Sequence, residues 1–236
     1  MKKLPIGIST FENIRQENFY YIDKTRMVKK LEDSGKYYFL SRPRRFGKSL
    51  FLDTLKSAFE GKKELFKGLY LENHWKWEET YPVIKISFGA GVLQNRTELD
   101  QTFEALLLRL KNKFSLELSN ISHKENFREL IEKLYCSCNR KVVILVDEYD
   151  KPILDNITDP NMAAVMRDGL KNFYSVIKDS DAYIKFVFIT GVSKFSKVNL
   201  FSGLNNLEDI TLNKDYSIIC GYTQNDLERE FKDRLE

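Results

Sequence analysis

Apolar residues fall along this chain in two rhythms. Short, nearly unbroken runs occur at 37–40 (YYFL), 83–88 (VIKISF), 141–150 (KVVILVDEYD) and 183–190 (YIKFVFIT). Between them, apolar positions recur every three or four residues. The runs predict strands, and those lacking polar alternation predict strands covered on both faces, as in a parallel sheet. The spaced segments predict helices: 50–59 after the first run; 98–118, carrying Phe103, Leu106, Leu107, Leu110 and Phe114; 124–136, carrying Phe127, Leu130, Ile131 and Leu134; and 160–178, opened by Pro160. Ahead of the first strand lies a lead-in over 1–35. It holds a helical turn at 11–16, an extended piece at 20–22, and a helix capped by Asp23 or Thr25 and stopped by Gly35. Residues 61–81 connect the first unit to the second strand, with Trp75 and Trp77 as packing residues. A Ser-, Asn- and Gly-rich loop follows residue 190, with a short strand expected at 209–212. Thr223 and Asp226 are spaced like a capping box opening a last helix.

Strands alternating with helices place this chain in the α/β class, as a parallel sheet with helices on both faces. Ligands of such folds sit at the carboxyl ends of the strands. Three chemically distinctive stretches fall at such ends: the loop ending in Gly47-Lys48-Ser49, the pair Asp147-Glu148, and Thr190.

The first has the order a phosphate-binding loop requires: strand, tight turn, Gly-Lys-Ser, helix. Amides and dipole at a helix N-terminus favour an anion, Lys48 would reach the β- and γ-phosphates, and Ser49 would put its hydroxyl on Mg²⁺. The pattern G-x-x-x-x-G-K-[ST] asks for glycine at 42, where this chain has Arg42. Asp147 would hold Mg²⁺ through water and Glu148 would polarise the attacking water. Two adjacent carboxylates closing an apolar strand repel each other unless cations compensate them; otherwise Asp147 or Asp150 serves as a helix cap. Thr190 is either a hydrogen-bond donor to the γ-phosphate or lytic water, or a turn residue. Arg44 and Arg45 either touch phosphates or are solvated. Arg167, Lys178, Lys194 and Lys197 are candidates for a transition-state cation, supplied within the chain or by a second copy in a homo-oligomer.

Composition narrows the picture little. The 236 residues suffice for one well-cored domain, and a net charge of +4 is too mild to argue for nucleic acid by itself. No apolar run approaches the ~20 residues of a membrane helix, and the first ten residues lack a signal-peptide core. Three cysteines and two distant histidines give no metal-ligand spacing, and an odd cysteine count with no export signal fits a reducing cytoplasm. Cys136 and Cys138 read as incidental residues at a helix end.

At this point the chain resembles a known family, the AAA-ATPase-like proteins abundant in gut and anaerobic bacteria. The likeness is carried by GISTF (7–11), YIDKT (21–25), LSRPRRFGKS (40–49), VDEYDKP (146–152), TGVSKFS (190–196), FSGLNNLEDIT (201–211) and GYT (221–223). In that family, arginine is the usual residue at the position of Arg42. The resemblance implies an additional-strand P-loop fold with strand order 5-1-4-3-2, and ATP and Mg²⁺ as cofactors. It implies the sites 44–50 (Arg44, Arg45, Phe46, Gly47, Lys48, Ser49, Leu50) for nucleotide, Ser49 and Asp147 for metal, and Lys48, Glu148 and Thr190 for catalysis. It further implies three parts: a lead-in (1–35) flanking the nucleotide, with Tyr21 and Ile22 near the adenine; an ATPase core (36–220); and the start of a lid helix (221–236). Family members usually continue into a C-terminal PD-(D/E)XK nuclease-like domain, through which DNA would be a partner. Nothing in this chain matches that domain, and the end at residue 236 reads as a truncated lid. The leading expectation is therefore ATP hydrolysis coupled to movement of an attached domain. A nucleotide-dependent switch with negligible hydrolysis is the alternative, and a nucleic-acid-binding module using 42–45 is a weaker one.

Overall fold

A computed structural model describes residues 2–119, 121–194 and 207–235. Five strands form one parallel sheet: β1 (Tyr37–Ser41), β2 (Val83–Ser87), β3 (Val142–Asp147), β4 (Ile184–Gly191) and β5 (Glu208–Asp209). Their order is β2-β3-β4-β1-β5, which is the expected order read from the other edge.

The unbroken apolar runs are explained by burial on both faces. Alternate residues of each central strand feed separate cores. Phe39, Ile144, Val146, Val187 and Ile189 face α4 (Arg96–Phe114), α5 (His123–Cys138) and α7 (Pro160–Asp179). Tyr38, Leu40, Val143, Leu145, Phe186 and Phe188 face α1 (Phe11–Gln16), α2 (Thr25–Ser34) and α3 (Lys48–Phe59). On the first face, Phe173 of α7 lies sandwiched between Phe103 of α4 and Phe127 of α5, with centroids 4.3 and 4.4 Å away. Truncating such a ring to alanine costs about 3–5 kcal/mol. On the second face, Trp75 packs on Phe59 and Trp77 on Phe66, as expected of packing residues.

The structure moves several expected boundaries. α4 starts at Arg96, capped by Asn95, and stops at Phe114 rather than 118, because Ser115 turns left-handed (φ 53°). Leu118 is nonetheless buried in the core from outside the helix. β3 stops at Asp147, the first of the two acids expected to close it, and a four-residue helix, α6 (Lys151–Leu154), follows. β5 pairs with β1 at 208–209 rather than 209–212. Residues 20–22 join no ladder; the nearby bridge pairs Lys3 with Phe19. α2 has Lys24 at its N-cap position, yet Asp23 accepts from the Thr25 amide at 2.8 Å. Thr223 and Asp226 do make a capping box, at the start of α8 (Gln224–Glu230), which leads into α9 (Lys232–Leu235). No helix among the described residues is long and apolar enough to cross a membrane.

Register brings the functional strand ends together. Leu40 pairs with Thr190, Ser41 with Gly191, Val146 with Ile189 and Ser87 with Asp147.

Candidate functional site

β1 ends at Ser41, and the chain turns through residues 42–47 into α3. Arg45 (φ 66°) and Gly47 (φ 89°) both take left-handed backbone. Gly47 occupies the N-cap position of α3 and no side chain caps it, so the start of a twelve-residue helix faces outward from the turn. Arg42 stands at the position of the missing glycine. Its guanidinium donates to the carbonyls of Ser41 and Thr211, fastening β1 to the residues after β5.

Lys48 is buried at the base of the turn. Its ammonium donates to the carbonyls of Arg42 (2.8 Å) and Pro43 (2.9 Å). Burial pushes its pKa down, opposed by the charges of Asp147, Asp150 and Glu148.

A cavity of about 980 Å³ opens over this turn. It is lined by residues 44–51 and Glu148, by Ile6, Tyr21, Ile22 and Lys24 of the lead-in, and by Cys220 and Tyr222. Every residue expected to bind nucleotide, Arg44 through Leu50, therefore faces one space. Arg44 and Arg45 are exposed at its rim. Three large apolar side chains exposed elsewhere to solvent, Ile6, Phe46 and Tyr222, also border it. Burial pushes the Cys220 thiol up to about 12, so it stays protonated and inert.

Both ends of the chain build the cavity wall. The lead-in is fixed to α3 where Asp53 accepts from the Phe11 amide at 2.9 Å and pairs with Lys85 at 2.8 Å. Asp23 additionally accepts from the Tyr70 amide at 2.7 Å. The C-terminal segment then docks onto the lead-in. Lys24 pairs with Asp226 at 2.7 Å, and the Tyr20 hydroxyl donates to Asp233 at 2.6 Å. The Gly221 amide donates to the Phe46 carbonyl at 3.0 Å, joining this segment to the phosphate-loop turn itself.

Behind the cavity lie the acids. Asp147 is buried, and the Thr190 hydroxyl donates to its Oδ1 at 2.8 Å. Glu148 is half-buried and holds a left-handed backbone (φ 54°), which turns it out of the strand toward the cavity. Its carboxyl lies over Gly89: a Cβ there would come within 2.7 Å of Oε2. Burial, and then the neighbouring Asp147, pushes the Glu148 pKa up.

Sequence reasoning offered Asp150 only as a helix cap. It stands at the N-cap position of α6, where an Asp before Lys-Pro resembles an ordinary cap, but its side chain makes no cap bond. Its Oδ2 instead accepts from the Val192 amide (3.0 Å), the Ser193 amide (2.7 Å) and the Ser193 hydroxyl (2.6 Å). No local signal could have revealed partners 42 and 43 residues away.

Of the expected transition-state cations, Arg167, Lys178 and Lys194 do not border the cavity. Arg167 pairs with Asp168 on α7, Lys178 sits in the last turn of α7, and Lys194 pairs with Asp209 at 3.3 Å. Lys197 lies outside the described residues, as do Phe195, Ser196 and most of 201–211. No metal-ligating cluster of three His, Cys, Asp or Glu occurs among the described residues. The donor set fits a hydrated Mg²⁺ instead, which needs only one hydroxyl and one carboxylate from the protein. Ser49 lies in the first turn of α3, and Asp147 spends one oxygen on Thr190.

Residues 5–201 match the model of a family described as Predicted AAA-ATPase. The chain is also 50% identical, over 235 residues, to a protein of Azotobacter chroococcum mcd 1 described as "Uncharacterized protein in vnfD 5'region". That match covers 99% of this chain and 46% of the relative, so the chain spans about half its length. No solved structure matches.

Proposed function

Because the chain belongs to the predicted AAA-ATPase family, we propose that it is a Mg²⁺-dependent P-loop ATPase whose nucleotide site is the cavity over residues 44–51. The observation that carries this reading is the convergence on that cavity of Lys48, Ser49 and Glu148, from the ends of two strands separated by β4. The triphosphate would lie over the amides of residues 44–50, with the Lys48 ammonium on its β- and γ-oxygens. Ser49 and Asp147 would hold Mg²⁺, which supplies charge compensation to the phosphate oxygens when bound. Glu148 takes the proton of the attacking water as its oxygen bonds to the γ-phosphorus and the bond to the ADP oxygen breaks. Its raised pKa suits a base. Thr190 fixes the orientation of Asp147. Tyr21 and Ile22 flank the base, and the segment from 221 acts as a lid.

In this reading the ATPase works in the cytoplasm and its cycle moves an attached domain, through which DNA would be engaged; a second copy would supply a transition-state cation. Equilibrium binding and turnover of Mg-ATP test the site. Wild type binds and hydrolyses; Lys48→Ala loses binding by at least tenfold; Glu148→Gln binds and does not turn over. Wild-type turnover by Glu148→Gln removes the base assignment.

One observation favours a second reading, a switch that binds nucleotide with negligible hydrolysis. The Glu148 carboxyl packs over Gly89, a contact it would have to leave to reach an attacking water. Tight Mg-ATP binding with turnover slower than about one per hour would select it.

A further inference from the structure

Two sequence stretches that looked like separate motifs, Asp147–Asp150 and Thr190–Ser193, close on each other as one clasp. The Thr190 hydroxyl donates to Asp147, the Tyr149 amide to the Thr190 carbonyl (3.0 Å), and the Tyr149 hydroxyl to the Ser193 carbonyl (3.0 Å). Asp150 completes it with the three bonds to Val192 and Ser193. Gly191 sits where the halves meet. A Cβ there would lie 2.4 Å from the Tyr149 ring and 2.7 Å from Asp150 Oδ1, so only glycine allows closure.

Asp150 is fully buried, and one of its oxygens has no hydrogen-bond partner among the described residues. Burying a carboxylate is costly unless its bonds achieve something neutral packing would not. Here all three bonds hold the exit of β4 against the turn that carries Glu148. Asp150 thus ties the turn carrying Glu148, proposed to meet the attacking water, to the strand end carrying Thr190, which holds Asp147.

We infer that Asp150 is a positioning residue: its carboxylate sets Thr190 and Glu148 relative to one another, so that the site fits the transition state of γ-phosphoryl transfer better than it fits the diphosphate product. This rests on the ATPase reading above. Asp150 itself touches no reacting atom. The bonds, rather than the charge, do the positioning. An asparagine carbonyl can accept all three donors at the Oδ2 position, leaving its amide where Oδ1 has no bond to lose.

The test compares affinities for Mg-ADP and for Mg-ADP with aluminium fluoride, a mimic of the planar transferring phosphoryl group, so it does not depend on turnover. Asp150→Ala should weaken binding of the mimic at least thirtyfold while Mg-ADP changes less than threefold. Asp150→Asn should restore the mimic to within about threefold of wild type. Ser193→Ala, which removes one bond of three and leaves the core intact, should fall between, and it decides the matter if Asp150→Ala does not fold. Equal losses for both ligands, or no loss for either, overturn the inference. Failure of the wild type to bind Mg-ADP overturns the ATPase reading instead. Hydrogen exchange then judges the clasp alone: Val192 and Ser193 amides protected in wild type and Asp150→Asn but exchanging at least tenfold faster in Asp150→Ala uphold it, and equal exchange in all three sinks it.

Discussion

The hydroxyl of Thr190 and the carboxylate of Asp147, 43 residues apart in sequence, meet at 2.8 Å in a fully buried bond across two parallel strands. Threonine at 190 is therefore not a turn residue in this fold; it holds the acid proposed to bind the metal. Thr190→Val keeps the shape and removes the donor, leaving a buried carboxylate oxygen less satisfied. The expected cost is about 1–3 kcal/mol of folding stability, read by urea denaturation, together with a higher Mg²⁺ requirement for turnover. Unchanged stability and Mg²⁺ dependence would return Thr190 to a passive role.

Glu148 combines a left-handed backbone with a raised pKa. Its carboxylate is favoured in the protonated form relative to the unfolded chain, so ionisation costs stability as pH rises above the unfolded value of 4.5. Glu148→Gln should accordingly raise the melting temperature at pH 7 while abolishing turnover. Glu148→Gly should add about 1 kcal/mol by relieving the backbone. For the wild type, turnover should fall on acidification at a pH above the ordinary carboxylate range, since the base must be deprotonated.

Gly89 offers a gentler way to disturb the same group. Its φ is not in the left-handed region, so alanine meets no backbone penalty, only the Glu148 carboxyl at 2.7 Å. Gly89→Ala should lower turnover at least tenfold, with Mg-ATP affinity within threefold and melting temperature nearly unchanged. Loss of affinity in step with turnover would show that the contact supports the loop rather than the base.

Arg42 invites a restoration experiment. Arg42→Gly recreates the full glycine pattern, and pattern logic alone expects tighter nucleotide binding. The structure expects the reverse: the guanidinium's bonds to Ser41 and Thr211 are lost, at about 1.5–3 kcal/mol for hydrogen bonds to a charged group. Thermal denaturation and nucleotide titration of the same sample discriminate the two.

Asp226 tests the wall contributed by the C-terminal segment. Burial would raise its pKa, but the Lys24 ammonium and the Thr223 capping bonds outweigh burial and hold it at about 2, against 3.8 for a free group. The contact thus contributes fully above pH 4 and weakens as pH falls toward 2. Asp226→Asn should mimic that loss at neutral pH, costing about 1 kcal/mol locally. Amides of α8 should exchange faster, and Mg-ATP affinity should drop severalfold because Lys24 lines the cavity. Unaltered exchange in α8 would show that Lys24 is not what holds it.

Much of the fold was legible because buried parallel strands leave an unmistakable trace: runs such as VVILV have no solvent face to interrupt them. The capping box at Thr223 was legible because all its parts lie within four residues. The end of α4 was not, since Leu118 continues the apolar rhythm; only the left-handed Ser115 breaks the helix, and Leu118 returns to the core by another route. α6 was too short to have a period. In the site, the loop and the acid pair announced themselves by residue type at strand ends. Asp150 did not, because its local surroundings spell a helix cap while its partners come from the next strand over. The strand order came from family resemblance, and the register at Thr190 and Asp147 agrees with it.

The carbonyls of Arg42 and Pro43 hold the Lys48 ammonium, the group proposed to meet the phosphates. In the proposed site, nucleotide capture is an exchange of partners, not an encounter with a waiting cation. Observed association rates should level off at high nucleotide concentration, at the frequency with which the ammonium lets go.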